Sequence, residues 1–138
     1  MVAWGTMGFT DEEIGNVVAL IRSWKDVPPV ELNEAELQGN AEAGAKIFAE
    51  TCASCHGPRG EGYPATAKNR ENDPETAAGT GIGRKEFLAK ASDGYLRYLI
   101  ANGKSDTAMR AFNDGTDKPE LSEADIDNVI AYLRQNEF

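Results

Sequence analysis

The stretch CASCH at residues 52–56 holds both cysteines and the only histidine of the 138-residue chain. Cys52 and Cys55 are separated by two residues, and His56 follows directly. Thiolate and imidazole are the ligands that proteins use for soft and borderline metals, and the rest of the sequence contains neither. The stretch therefore predicts one chemical site that needs all three groups together.

Three familiar kinds of site fit this stretch poorly. A structural zinc site needs four Cys or His ligands, whereas the chain supplies three, two of which are adjacent. A thioredoxin-like redox pair follows a strand, but Gly44, Ile47 and Thr51 recur at helical spacing before the motif. A disulfide between Cys52 and Cys55 would close a very small loop and would leave the histidine unexplained.

Covalent haem attachment accounts for all three residues. In C-x-x-C-H both thiols add to the vinyl groups of a haem, and the next residue, here His56, presents its imidazole to the iron. The surrounding sequence GAKIFAETCASCHGPRGEG at 44–62 closely resembles the start of a class I cytochrome c domain. The resemblance implies one covalently attached haem c per chain.

The same resemblance implies an all-α class I cytochrome c fold, in which three to five helices wrap around one covalent haem, here with an N-terminal helical extension. Residues 57–83 are rich in glycine and have almost no periodicity, so we expect a long haem-wrapping loop. In this family the last helix crosses the helix that carries Gly44 and Phe48, with Tyr132 in the contact.

Two helices can be placed from their own residues. Ser92 is a suitable cap for a helix over 93–102, which Gly103 would end. Ser122 and Asp125 approximate a capping box at the start of the last helix. Residues predicted to face the core are Tyr95, Leu96, Leu99 and Ile100 in the first of these helices, and Ile126, Val129, Ile130 and Leu133 in the second.

The second axial ligand has three candidates, because the chain has no second histidine: Met1, Met7 and Met109. The segment DTAMRAF precedes the last helix, as the ligand loop does in the family. The resemblance thus implies Met109 as the sixth ligand and Thr107 as a hydrogen-bond donor to its sulfur. The alternative is that Met109 fills the core, as most methionines do. The family usually has proline directly after this methionine, and Arg110 in its place predicts a less stiff loop.

A backbone carbonyl from a proline loop after the motif orients the ligating imidazole in this family. Pro64 is the candidate for this role, and Pro58 is the alternative. The predicted haem-binding residues are therefore Cys52, Cys55, His56, Pro64, Thr107 and Met109. Of these, His56 and Met109 are the predicted iron ligands.

The N-terminal segment repeats the last helix. TDEEIGNVVALIR at 10–22 aligns with SEADIDNVIAYLR at 122–134, and upstream MVAW at 1–4 resembles MRAF at 109–112. The identical pairs in the helix are Ile14/Ile126, Asn16/Asn128, Val17/Val129, Ala19/Ala131 and Arg22/Arg134. Common amphipathic spacing explains part of this match. We interpret 1–24 as a helical extension resembling the tail of a preceding cytochrome c domain, 25–40 as a linker and 41–138 as the cytochrome c domain.

Charge and hydropathy exclude several classes of function. The net charge of −9 argues against nucleic acid, which needs a basic surface. The apolar run at 17–21 is far shorter than the roughly 20 residues that span a membrane. The opening residues also lack the basic stretch of a signal peptide.

The resemblance implies single-electron transfer without bond-making catalysis, as a shuttle or as a haem module of a respiratory or other redox chain. It implies redox protein partners, including a membrane complex, and a periplasmic or extracytoplasmic location. The apolar stripe of the N-terminal helix, at Ile14, Val17, Val18 and Ile21, provides a contact through which the chain can form oligomers. The alternative function is a haem-based small-ligand sensor or peroxidase-like domain, in which a labile Met109 opens the iron.

Overall fold

The computed structural model describes residues 4–24, 29–62, 79–115 and 119–137. Within these ranges the regular elements are a 3₁₀ turn, Trp4–Met7, and the helices α1, Asp11–Ser23; α2, Ala41–Thr51; α3, Ala53–His56; α4, Lys85–Leu88; α5, Asp93–Asn102; and α6, Glu123–Gln135. The chain divides into two compact units, Met1–Glu31 and Leu32–Phe138. Among the helices that can be described, none has the length and apolar character needed to cross a membrane.

The first unit contains α1, which begins at a capping box. Thr10 Oγ1 accepts a hydrogen bond from the amide of Glu13 at 3.2 Å, and Glu13 Oε2 accepts one from the amide of Thr10 at 2.8 Å. The acids of the first turn and Arg22 in the last turn match the helix macrodipole. All 13 residues of α1 are described, and none of them is buried.

The second unit is built around the crossing of α2 and α6. Gly44 lies directly against the backbone of Asn128, where an added Cβ would overlap the carbonyl group. This close approach brings the ring of Phe48 to 5.1 Å from that of Tyr132, centroid to centroid. The crossing implied by the family resemblance, with glycine and tyrosine in the contact, is therefore present.

The core of the second unit is apolar, and α6 supplies its centre. Ile126, Val129, Ile130 and Leu133 are at most 2% exposed, as predicted from their spacing. The other buried apolar residues are Phe48, Leu88, Ala91, Leu96, Ile100, Phe112 and Leu121.

Helix α5 begins and ends where the sequence predicts. Ser92 Oγ accepts the amide of Tyr95 at 3.1 Å, and Gly103 ends the helix with a positive φ of 69°. The prediction that Tyr95 faces inward is wrong, since it is 41% exposed. Its neighbour Gly94 is the buried residue there, packed against Glu34.

Residues 33–40, the second half of the predicted linker, are attached to α5 and α6. The guanidinium of Arg97 donates to the carbonyls of Asn33 and Ala35, both at 2.9 Å. Glu34 accepts the amide of Gly94 at 3.0 Å. The boundary between the two units accordingly falls at Glu31, within the segment predicted as a linker.

The ion pair between Arg97 and Asp127 predicts a pH dependence of stability. Arg97 Nε lies 2.6 Å from Asp127 Oδ1, and the side chains are 12% and 18% exposed. Hydrogen bonding to Arg97, partly opposed by desolvation, lowers the pKa of Asp127 from its ordinary value of 3.8. Because the folded-state pKa is the lower one, the stabilisation is present above the unfolded-state value and is lost as pH falls through the folded-state value.

We expect Asp127→Asn to lower the free energy of unfolding by about 1 kcal/mol at neutral pH, and by progressively less in acid, where the wild-type carboxylate is also protonated. Urea unfolding followed by circular dichroism between neutral pH and pH ~3 measures this. Glu50→Gln, which removes an exposed carboxylate on α2, is the matched control. An equal loss at every pH would contradict the role assigned to the ion pair.

Candidate functional site

The CASCH motif forms a helical turn directly after α2. Cys52 lies between α2 and α3 and caps both helices. Its amide donates to the carbonyl of Phe48 at the end of α2, and its own carbonyl accepts the amide of His56 at 2.9 Å. Residues three and four apart in a helix lie on the same face. The turn therefore presents both thiols and the imidazole on one side.

Cys52 and Cys55 form no disulfide with each other, and both are partly buried. Burial raises the pKa of Cys52 to about 11, Cys55 adds to this increase, and the charge of Arg110 opposes it. Such surroundings suit a neutral sulfur rather than a thiolate. A thioether carries no ionisable proton, so the site is compatible with alkylated cysteine.

The imidazole of His56 is oriented by a backbone carbonyl. Its Nδ1 lies 2.9 Å from the carbonyl oxygen of Thr80. A carbonyl oxygen can only accept, so Nδ1 carries the proton and donates it. The lone pair then remains on Nε2, which is the tautomer that a metal-binding histidine needs.

Thr80 was not among the residues predicted from the sequence. Pro64, the candidate for orienting the imidazole, lies outside the described residues, and Pro58 is exposed. Among the described residues, the carbonyl that accepts the hydrogen bond from His56 Nδ1 is that of Thr80, within the run GTGIG at 79–83. Gly79 allows the close approach, since a Cβ there would lie 2.7 Å from His56 Nδ1. Closely spaced glycines were the available signal.

The loop that carries Met109 folds back on the end of α5. The amide of Lys104 donates to the carbonyl of Met109 at 2.8 Å, and the amide of Phe112 donates to that of Ile100 at 3.1 Å. The side chain of Met109 is partly buried. It packs against the same core as Cys52, Ala53 and Ile82.

Thr107 has a different contact from the one implied by the resemblance. Its hydroxyl donates its single proton to the carbonyl of Lys104 at 2.7 Å, and its oxygen accepts the amide of Met109 at 3.2 Å. A hydroxyl has only one proton to donate. Through these two bonds Thr107 shapes the backbone of the methionine loop.

Arg110 occupies the position after Met109 and holds the loop through its side chain. Its guanidinium carbon lies 4.1 Å from the ring centroid of Phe112, within the range of a cation–π interaction. Two of its nitrogens approach the carbonyls of Ala111 and Pro119, each at 3.4 Å. The positive charge of Arg110 also opposes the increase in the pKa of Cys52.

The family model described as cytochrome c matches residues 41–137, from the start of α2 to just beyond the end of α6. The chain belongs to the cytochrome c family. Cytochrome c6 of Picosynechococcus sp. (strain ATCC 27264 / PCC 7002 / PR-6) is 34% identical to the chain in an alignment of 100 residues, which covers 68% of this chain and 71% of that protein.

Membership confirms the all-α class I cytochrome c fold with an additional N-terminal helix. It also confirms one covalently bound haem c and a role in haem-based electron transfer between redox partners. The donor set fits this group, because two cysteine sulfurs outside any disulfide and an imidazole with an available Nε2 share one helical turn. In the described part of the chain, no cluster of three or more His, Cys, Asp or Glu residues could hold a metal ion without such a cofactor.

Proposed function

We propose that the chain relays single electrons through a haem c attached to Cys52 and Cys55, with His56 and Met109 as the axial ligands. The observation that carries this proposal is the hydrogen bond from His56 Nδ1 to the carbonyl of Thr80. It fixes both the tautomer and the direction of the ring, and it makes the imidazole a stronger ligand.

The proposal for Met109 rests on the local structure of its loop. Thr107 binds the amide of Met109, and Lys104 binds its carbonyl, so the backbone on both sides of the residue is held. The side chain lies partly buried on the core that also contacts Cys52.

Each residue has a distinct part in the proposed electron transfer. When bound, haem c supplies an iron that changes between the ferric and ferrous states. Cys52 and Cys55 keep it on the polypeptide, and His56 holds one axial position. The thioether of Met109 favours the ferrous state and so raises the reduction potential. Two protein ligands limit the rearrangement that accompanies a change of charge, which suits electron transfer rather than bond-making catalysis.

The alternative with a labile sixth ligand has less support. Proline is absent after Met109, but the contacts of Arg110 with Phe112 and Pro119 hold the same stretch of chain. A loop anchored on both sides of the methionine favours permanent ligation. A carrier of this kind needs a protein donor and a protein acceptor, which we place on the extracytoplasmic side of a membrane, either free or within a membrane complex.

Substitution of Met109 tests the axial ligand directly. We expect Met109→Ala to give a high-spin or water-ligated iron that binds carbon monoxide. We also expect its potential to fall by roughly 0.2 V, a fraction of the ~0.8 V that axial ligands span. Absorption spectra and redox titration measure both effects. Met7→Ala is the matched control, because that side chain is 58% exposed, and it should leave the spectrum unchanged.

An unaltered low-spin spectrum in Met109→Ala would contradict the assignment of the sixth ligand. Loss of the sulfur-to-iron charge-transfer band in Met7→Ala, with Met109→Ala unaffected, would transfer the role to Met7.

A further inference from the structure

Helix α1 carries an apolar stripe that is exposed along its length. Val17 is 53% exposed, Val18 40% and Ile21 51%. The helix that carries the stripe is regular over Asp11–Ser23, and it begins at a complete capping box formed by Thr10 and Glu13. Isolated helices of this length are marginal in water, so a stable α1 needs a surface that covers the stripe.

The aligned helix α6 shows what kind of surface covers such a stripe. The counterparts of Val17, Val18 and Ile21 are Val129, Ile130 and Leu133, which are 1%, 0% and 2% exposed. In α6 this face packs on α2, the first helix of the cytochrome c domain. An amphipathic pattern alone would not identify the partner, but two polar residues shared by α1 and α6 do.

The first shared polar residue is Asn16, aligned with Asn128. Asn128 Oδ1 accepts the amide of Asn40 at 2.7 Å, and Asn40 is the residue that caps α2. The asparagine therefore recognises the start of the first helix of the domain. A generic amphipathic helix has no need of asparagine at this position.

The second shared polar residue is Arg22, aligned with Arg134. The guanidinium of Arg134 donates to the carboxylate of Asp93 at 2.8 and 2.9 Å, and to the carbonyl of Ala91 at 2.6 Å. These groups lie at the start of α5. An arginine at the position of Arg134 thus binds the start of a second helix of the cytochrome c domain, and Arg22 is suited to the same contact.

The α2 helix of this chain cannot serve as the partner of α1. Its contact face is already occupied by α6, since Phe48 is 1% exposed and Gly44 touches the backbone of Asn128. The same holds for α2 in a second folded copy. The surface that α1 matches must therefore belong to a different domain of the same fold.

We propose that α1 is the closing helix of a second cytochrome c-type haem domain, that is, the last helix of that domain, which packs on its first helix as α6 packs on α2. The rest of this second domain would precede α1 in the same polypeptide. In the second unit, the closing helix follows all other helices of its domain, and the family match ends just after it at residue 137. A closing helix at residues 11–23 thus belongs with helices that come before it in sequence. The resemblance of MVAW to MRAF extends the repeat into the methionine loop.

The haem content of the natural polypeptide tests the proposal. Met109 follows His56 by 53 residues, so we expect an in-frame C-x-x-C-H at a similar distance ahead of Met1. Pyridine haemochrome analysis of the polypeptide from its source should give two haem groups per chain instead of one. Absence of an upstream C-x-x-C-H would overturn the proposal. If the motif is absent and residues 1–138 form a dimer that Val17→Asp abolishes, a second copy covers the stripe.

A helix graft tests whether α1 can close a haem domain at all. Residues 122–134 are replaced by the sequence of 10–22, and a graft with the same residues in shuffled order is the control. We expect the first graft to retain the haem spectrum with a lowered thermal midpoint, and the shuffled graft to lose it. Because Gly15 and Leu20 replace Asp127 and Tyr132, a further graft restores aspartate and tyrosine at these two positions. Loss of the spectrum from both ordered grafts, or its retention in the shuffled one, would overturn the proposal.

Discussion

Replacement of both Cys52 and Cys55 by alanine is expected to give a polypeptide that loses its haem in acid acetone, whereas the unaltered protein keeps its colour. Only the two thiols of the chain can form thioether bonds, so their removal leaves axial ligation alone to hold the group. The fold should also become much less stable, because a haem without covalent bonds can dissociate from the polypeptide, and the stability that its binding gives to the native state is then lost. Extraction followed by absorption of the precipitate, and thermal unfolding of the soluble protein, measure the two effects.

Ser54→Ala is the matched control for the cysteine replacement. Ser54 lies in the same turn, is exposed, and has a hydroxyl 3.9 Å from the sulfur of Cys55. The Ser54→Ala substitution alters a side chain of the CASCH turn without removing a thiol. We expect this variant to keep its haem in acid acetone, as the unaltered protein does. Coloured precipitate from the double alanine variant would show that the haem is not held by these cysteines.

Gly44→Ala should strongly destabilise the second unit. An added Cβ meets the carbonyl of Asn128 and lies 3.0 Å from Cβ of Tyr132. The neighbouring atoms are largely backbone, so relief requires α2 and α6 to separate, and the contact of Phe48 with Tyr132 opens. We expect a loss of about 2–4 kcal/mol in the free energy of unfolding, as for severe overpacking of a core.

Gly15→Ala is the control for this substitution. It also places alanine within a helix, but its Cβ would meet no atom within 4 Å. Helix propensity then predicts a gain of up to about 1 kcal/mol in the stability of α1. Denaturant unfolding followed by circular dichroism compares the two variants. A free energy of unfolding for Gly44→Ala equal to that of the wild type would contradict the importance of the close crossing.

Features that depend on nearby residues could be predicted from the sequence. Ser92 and Ser122 cap their helices through bonds to residues three positions ahead, so the pattern itself contains both partners. The stripe of α6 was equally clear, because its period follows from helix geometry alone. CASCH predicted the kind of cofactor, since covalent attachment requires the reacting groups in one short stretch.

Features that depend on distant partners could not be predicted in this way. The sequence does not show that Arg97 bonds to the carbonyls of Asn33 and Ala35, more than 60 residues away. For Thr107 the partner was near, but a hydroxyl with several acceptors in reach has no preferred one in the sequence. Tyr95 lies on the exposed side of α5, contrary to the prediction, because α5 also packs against the segment before α2 and Gly94 is the residue buried there.

The carbonyl of Thr80 that holds the ring of His56 belongs to the main chain, and this affects how the protein can evolve. Almost any residue at position 80 leaves that backbone oxygen in place. Substitutions at this position should therefore have little effect on the orientation of His56, and selection for that orientation should not remove them. The constraint instead falls on Gly79, where a methyl group would collide with the imidazole itself. Among descendants of this sequence, residue 80, whose carbonyl makes the bond, should vary freely, whereas residue 79, which makes no bond to the ring, should remain glycine.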